Sequence, residues 1–258
     1  MLWHPTPLRD PALIGDTAVW TCACDPGRPS GVAILHCGMT GEVHAATAAL
    51  KFGAHPTPSR EVREAVGAAL DLPRMVGPWR LAPGVWRGDP RAEHWECACE
   101  DVGDVYERPG TDHATAQAKR RALMREAMLA GQLRAAVSEV VSVRGEAVYE
   151  SKVWRAVIGA AGARKDLAKA LAVAFVENHF GATVSDHEAE ACCIGLHHLR
   201  CLRIGDRRAQ APLGLELAAK KRGGKRSLPA HVLDKMGEDD RRNAQNRPSK
   251  PPEGAIGR

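Results

Sequence analysis

A strand that ends in a carboxylate and breaks at once into a tight turn is the feature that most constrains this chain. The stretch from Thr21 to Leu35, TCACDPGRPSGVAIL, predicts an apolar strand ending at Asp25, a turn rich in Pro and Gly, and a second apolar strand. A carboxylate at the end of a central strand is costly to bury unless a cation pairs with it. The sequence therefore predicts that Asp25 holds a metal ion and that other segments supply further ligands.

A second strand of the same kind lies further along the chain, in HWECACEDV. Strand alternation places Glu100 on one face with Ala98, as it places Asp25 on one face with Ala23. If the two strands are neighbours, Asp25 and Glu100 meet at their carboxyl ends, where open α/β sheets bind ligands. Two carboxylates that are so close stay charged only around a cation, and Mg²⁺ prefers oxygen ligands.

The start of the last predicted helix, SDHEAE, supplies further candidates. Asp186 and Glu190 are four residues apart and His187 and Glu190 are three apart, so that either pair can share one helical face. Acidic residues in a first turn also complement the helix dipole, and this explanation stays open for Asp186 and Glu188. It does not explain why a helix with an apolar buried side should direct His187 or Glu190 at the core.

The pattern along the chain predicts an α/β fold with a mixed central sheet, in which a three-strand meander is followed by parallel strands and helices flank the sheet. The predicted strands are Ala18–Asp25, Gly31–Cys37, Glu42–Leu50, His94–Val102 and Ala147–Ser151. The predicted helices are Ser59–Leu70, Asp112–Val137, Asp166–Phe180 and Asp186–Leu202, with one helical turn at Trp154–Ile158. Met1–Asp16 contains proline and is predicted to be irregular.

Charge is divided unevenly along the chain. From Arg200 to Arg258 there are 15 Lys and Arg against seven Asp and Glu, whereas the rest has 21 against 24. Such a basic tail indicates either a polyanionic partner or a solvated, disordered end. We divide the chain into an N-terminal extension at 1–17, a domain at 18–203 with a Pro- and Gly-rich insertion at 51–93, and a basic tail at 204–258 that we expect to be disordered.

Cysteine usage and the N-terminus predict a cytoplasmic protein with reduced thiols. Met1 is not followed by a signal peptide's basic start and apolar run, and no stretch has the length of a membrane span. The CxC pairs differ from the CxxC of common zinc sites, which favours small buried apolar residues. A metal or redox cluster is the alternative, built from Cys22, Cys24, Cys97, Cys99, Cys192 and Cys193.

On these motifs, the chain resembles the RuvC-like Holliday-junction resolvases, within the RNase H-like nuclease superfamily, and most closely their phage-encoded branch. The matching stretches are CDPGRPSGVAIL, ECACEDV, ATAQAKRRALMREA, VWRAVIGAAGARKDLAKALAVAFVENHFG and SDHEAEACCIGLHHL. The resemblance runs from Val19 to Leu199 with a gap over the Pro-rich middle. It implies an RNase H-like fold and an endonuclease that nicks branched DNA, in the host cytoplasm if the chain is phage-encoded.

The resemblance also implies two metal ions, Mg²⁺ or Mn²⁺, bound by four catalytic side chains. Asp25 takes the first position, Glu100 the second, and His187 and Glu190 the last two. Asp186 is the competing choice for the third ligand, and His187 would either ligate a metal or shuttle a proton. Glu190 departs from the family, in which Asp is usual at this position.

The same resemblance implies contacts with DNA and a homodimer. Cations that flank the acidic motifs are expected to bind phosphates, with ordinary solvated helix faces as the alternative: Lys119, Arg120, Arg164 and Lys165. Tyr106 would stack on an unpaired base or pack against the long helix. The helix Asp112–Val137 is the expected dimer interface, and no membrane or small-molecule substrate is predicted.

Three other functions compete with this one. Packaging and transposition nucleases use the same fold and acids on other DNA targets, although the chain has no P-loop motif for a packaging ATPase. A nucleotide-binding protein of the actin and sugar-kinase type would need a second, similar half, which the sequence does not contain. An inactive DNA-binding or scaffold protein of the same fold is the third alternative.

Overall fold

A seven-stranded sheet forms the centre of the computed structural model, which describes residues 2–53, 57–70, 95–103 and 112–205. These residues all belong to one compact unit, Met1–Leu215. The strands are β1 (Leu2–Trp3), β2 (Leu8–Ile14), β3 (Val19–Asp25), β4 (Ser30–Cys37), β5 (Thr40–Leu50), β6 (Trp95–Glu100) and β7 (Val143–Tyr149). The helices are α1 (Ser59–Ala69), α2 (His113–Val140), α3 (Ser151–Trp154), α4 (Lys165–Phe180) and α5 (Asp186–Ile204), with a 3₁₀ turn at Arg155–Ile158.

The sheet is mixed, and the predicted fold class is confirmed. Strands β3, β4 and β5 form an antiparallel meander, and β6 and then β7 continue the sheet in parallel on the other side of β3. Cys24 of β3 pairs with Cys99 of β6. Asp25 and Glu100 therefore follow next on adjacent parallel strands, at the same edge of the sheet.

Strand alternation separates two hydrophobic cores, one on each face of the sheet. The cysteines of β3 and β6 face the side on which α1 and α2 pack. Ala23 and Ala98 face the other side, on which α4 and α5 pack. All eight cysteines are free and seven are buried, among them the four of the CxC pairs, whose prediction as small buried apolar residues is confirmed. None of the helices in the described ranges has the length and hydropathy needed to cross a bilayer.

Helix α5 is buried along most of its length. Residues 189–200 are all buried, which includes His197, His198 and Arg200. A glycine allows this close approach to the sheet, because a Cβ at Gly195 would lie 2.4 Å from Cδ1 of Leu35. The helix that starts at the acidic edge is therefore held at a fixed depth against the sheet.

The N-terminal segment corrects one prediction. Met1–Asp16 was predicted to be irregular because of its prolines, but β1 and β2 lie within it and both pair antiparallel with β5. Proline is tolerated on edge strands and at bulges, and Pro11 lies in β2 where the register shifts between Arg9 and Ile14. The proline content therefore marked a sheet edge rather than a loop.

The fifth predicted strand is misplaced by four residues at its start. It was predicted at Ala147–Ser151, whereas β7 covers Val143–Tyr149 and Ser151 already opens α3. The charged side chains of Arg144 and Glu146 obscured the strand, because they occupy its exposed alternate positions. The predicted insertion at 51–93 and the predicted tail at 204–258 lie largely outside the described residues.

Gly195→Ala is expected to destabilise the fold by about 1–3 kcal/mol, because the added methyl group overpacks the contact with Leu35. The matched control is Gly131→Ala in α2, where a Cβ would meet nothing within 4 Å. That control is expected to be neutral or to stabilise by up to about 1 kcal/mol. Urea unfolding followed by circular dichroism measures both, and equal stabilities would contradict the role given to Gly195.

Candidate metal centre

The ends of β3 and β6 and the first turns of α5 meet at one edge of the sheet. Asp25 is the last residue of β3 and Glu100 the last of β6, while His187 and Glu190 belong to α5. All four line one cavity of about 620 Å³. The structure thus brings together acidic side chains from three segments that are far apart in the sequence.

Asp25, His187 and Glu190 form the tightest group in this cavity. One ligand atom from each lies within 4.8 Å of the others, and Nδ1 of His187 is 2.5 Å from Oδ2 of Asp25. The hydrogen bond to Asp25 raises the pKa of His187, although partial burial opposes this. Carboxylate oxygens suit Mg²⁺, and an imidazole nitrogen among them suits Mn²⁺ better. The donor set fits a divalent cation.

Glu100 faces the same cavity beside this group rather than within it. Burial raises the pKa of Glu100 to about 8, and the negative charges of Asp25 and Glu190 add to the effect. Burial and the charge of Asp25 also raise the pKa of Glu190. The carboxylates repel one another, so that a nearby cation would favour their ionised forms.

Asp186 has a different partner. It forms an ion pair with Lys169 of α4, and its Oδ1 lies 3.9 Å from Nε2 of His187. Of the two candidates for the third ligand, the structure places His187 in the tight group and Asp186 beside Lys169.

Two glycines make room for His187. A Cβ at Gly27 would lie 2.4 Å from Cε1 of His187, and a Cβ at Gly31 would lie 1.9 Å from its carbonyl oxygen. The start of α5 is fixed by a capping box between Ser185 and Glu188. Glu188 is therefore a capping residue, and the turn after Asp25 needs glycine so that the helix can reach the strand end.

Two cations that the sequence analysis missed face the acids. Nη2 of Arg155 lies 3.4 Å from Oε1 of Glu190, and Nζ of Lys169 lies 4.0 Å from Oε2 of the same residue. Lys169 follows Lys165 by one helical turn, and this spacing was a signal that could have identified it. Arg155 lies in a 3₁₀ turn after the buried Trp154, where no helical or strand period marks it.

The predicted DNA-binding residues are placed unequally. Lys165 lines the cavity. Arg164 is exposed and occupies the N-cap position of α4, one residue before Lys165. Lys119 is exposed and precedes the cavity-lining Leu123 by four residues, so it lies on the same face of α2. Arg120 is also exposed and precedes Leu123 by three residues, so it too borders the face of α2 that lines the cavity.

The two aromatic predictions have different outcomes. Trp154 is fully buried, as expected of a core residue. Tyr106 lies outside the described residues, and its predicted stacking on an unpaired base stays a prediction.

Comparisons with known proteins find structural similarity alone. No protein-family model and no curated protein matches this chain. The solved structure of Thermus thermophilus RuvC is similar with a TM-score of 0.41 and 17% identity, over 73% of this chain and 98% of that one. T. thermophilus RuvC in complex with a Holliday junction substrate is similar with a TM-score of 0.36 and 16% identity, over 74% and 97% of the two chains. These identities give no information about individual residues of the site.

Mn²⁺ is expected to raise the melting temperature of the wild type, because an ion that binds only the folded state stabilises it, by about 2.7 kcal/mol at 100 times its Kd. Glu100→Gln is expected to lose most of this increase. Its melting temperature without added metal should be retained or raised, since a neutral amide is not repelled by Asp25 and Glu190. Thermal denaturation followed by circular dichroism measures both effects.

Asp101→Asn is the matched control for this experiment. Asp101 is the next residue in the chain, is exposed, and lines the same cavity outside the acidic group. The control is expected to keep the full Mn²⁺ effect. If Glu100→Gln also kept it, Glu100 would not be a metal ligand.

Proposed function

We propose that this protein is a metal-dependent, structure-selective endodeoxyribonuclease of the RuvC-like type, which nicks branched DNA such as Holliday junctions. The observation that carries the proposal is the convergence of Asp25, His187 and Glu190, with Glu100 beside them, at the ends of two parallel strands. The same residues lie in the motifs by which the sequence resembles this family, most closely its phage-encoded branch.

The cavity suits a phosphodiester backbone as the substrate. Besides the acids, it is lined by the cations Lys152, Arg155, Lys165 and Lys169. Acidic groups that can bind divalent ions and basic groups that can bind phosphates therefore line the same cavity. Lys119, on the face of α2 that lines the cavity, would extend the positive surface along a bound strand.

Asp25, Glu100, His187 and Glu190 would hold two divalent ions, Mg²⁺ or Mn²⁺, with Asp186 as the alternative to His187. Bound ions of this kind activate a water molecule and stabilise the charge on the phosphate and the leaving oxygen. In the hydrolysis, the water oxygen bonds to phosphorus while the bond from phosphorus to one sugar oxygen breaks. If Asp186 is the ligand, His187 is available to accept the proton of the water, because imidazole titrates near neutral pH.

We also propose that the enzyme is a homodimer with α2 at its interface, so that two sites act on one junction. Met124 and Met128 of α2 are 67% and 52% exposed, and they lie one turn apart on one face of the helix. Neighbouring exposed apolar side chains of this size support a contact surface.

Asp25→Asn is expected to reduce cleavage of a labelled four-way junction in Mg²⁺ or Mn²⁺ by at least about 100-fold, since even outer-shell changes cost 10–100-fold. Binding of the junction should persist, because the cavity cations remain. Gel electrophoresis of the products, beside a linear duplex of the same sequence, measures cleavage and preference.

Three outcomes of that assay would contradict the proposed function or the assigned site. Equal cutting of the linear duplex would favour a packaging or transposition type of nuclease. Binding without cutting in any divalent metal would favour an inactive DNA-binding protein. Wild-type activity in Asp25→Asn would overturn the assignment of the site.

Light scattering is expected to give twice the mass of one chain for the wild type and a single chain for the double variant Met124→Glu/Met128→Glu, because buried carboxylates would oppose the contact. Met39→Glu is the control, since Met39 is 60% exposed between β4 and β5 and should not affect the dimer. A wild-type monomer at the concentration of the cleavage assay would contradict paired nicking.

A further inference from the structure

Both carboxylate oxygens of Glu190 face a cation of the protein. Oε1 lies 3.4 Å from Nη2 of Arg155, and Oε2 lies 4.0 Å from Nζ of Lys169. Lys169 also forms the ion pair with Asp186. The side chains of Arg155 and Lys169 are 14% and 20% exposed and that of Glu190 is 4% exposed, so the two pairs with Glu190 belong to the interior of the site, whereas Asp186 lies at its edge with 39% exposure.

The carboxylates that these cations contact are candidate ligands of the metal centre. Glu190 belongs to the tight group with Asp25 and His187, and Asp186 is the alternative ligand. Lys169 and a divalent ion would compete for the same carboxylates, and their positive charges would repel each other strongly at such short separations. A metal ion bound to these carboxylates would therefore weaken the contacts that Lys169 makes with them.

Arg155 and Lys169 differ in how firmly they are held. The guanidinium of Arg155 lies over the ring of Trp154, 5.1 Å from its centroid, and Trp154 is fully buried. This contact gives Arg155 a partner that does not depend on Glu190. Lys169 carries its charge on a flexible four-carbon stem at the wall of the cavity, so it is the cation that can move.

We propose that Lys169 exchanges partners: it neutralises Asp186 and Glu190 until a divalent ion binds to them, and it then contacts a phosphate of the bound DNA strand. This inference rests on the proposed function, because it requires both a metal ion and a nucleic acid in the cavity. It makes the binding of metal and the binding of DNA mutually favourable. A bound metal ion frees Lys169 to contact DNA, and bound DNA holds Lys169 away from the carboxylates that the metal needs. The factor by which metal raises DNA affinity must equal the factor by which DNA raises metal affinity.

Lys169→Met removes the competing charge and tests the exchange on the full chain. Calorimetric titration with Ca²⁺ alone is expected to show about fivefold or tighter binding than in the wild type, within the range of measured couplings between sites. Fluorescence anisotropy of a labelled four-way junction is expected to show that Ca²⁺ improves DNA affinity in the wild type. In Lys169→Met that improvement should shrink by about fivefold or more. A parallel gel verifies that the junction stays intact in Ca²⁺.

Lys165→Met is the matched control. Lys165 lies one helical turn before Lys169 and lines the same cavity, so the control removes the same charge at nearly the same place. It is expected to weaken DNA binding by the same factor with and without Ca²⁺, and to leave Ca²⁺ affinity unchanged. Lys169→Gln provides a second neutral variant in case Lys169→Met does not fold.

Two results would overturn the exchange, and they are distinguishable. If the wild type binds Ca²⁺ but neutral variants of Lys169 bind it equally or more weakly, Lys169 is an ordinary structural ion pair while the metal centre stands. If the wild type binds neither Ca²⁺ nor Mn²⁺, the metal centre fails and the exchange fails with it.

Discussion

Repulsion among carboxylates that are gathered at one edge of the sheet is the constraint on which this structure depends. Asp25 and Glu190 are buried, and the negative charges around Glu100 contribute to its pKa of about 8. A fold that only had to be stable would place apolar side chains at these strand ends. The structure instead surrounds the acids with Arg155, Lys169 and His187, which offset the repulsion without filling the space between the acids and the cavity.

Helix α5 carries this cluster, and its burial fixes the positions of the acids. Two of its buried polar residues contact other elements: Nδ1 of His198 lies 2.8 Å from the hydroxyl of Tyr149, and Nε of Arg200 lies 3.8 Å from Oδ2 of Asp10 in β2. At its start, Gly27 makes room for the imidazole ring of His187, and Gly31 makes room for its backbone at the start of β4. A helix that touches strands along most of its length cannot tilt without disturbing the core on that face of the sheet. The geometry of His187 and Glu190 is therefore tied to the stability of the whole domain.

The sequence was sufficient to predict the central strands and the acidic residues at their ends, because both follow from the alternation of side chains along a strand. The alternation in TCACD and ECACE correctly assigned cysteines to one face and alanines to the other, and the pairing of β3 with β6, which had been assumed, is confirmed. The edge strands were less predictable, since Pro11 in β2 is tolerated where a strand edge or bulge leaves its nitrogen without a ladder partner, and the charges of β7 occupy its exposed alternate positions. The spacing from Lys165 could have placed Lys169 on the same helix face, but periodicity does not show that Arg155 and Lys169 pair with Glu190, because this depends on which elements pack beside α5. The distances that join them to Glu190 are properties of tertiary packing alone.

The distances from Glu190 to Arg155 and Lys169 explain why glutamate rather than aspartate suits this position. The sequence motif has Glu190 where the resembling family usually has Asp, and the extra methylene extends the carboxylate further from α5. In this structure the longer side chain reaches both Arg155 on the 3₁₀ turn and Lys169 on α4. An aspartate at this position would end about 1.5 Å short of that point, by the length of one carbon–carbon bond. Glu190 thus joins the acidic group to two cations of the cavity, and Asp186 adds a second pairing with Lys169.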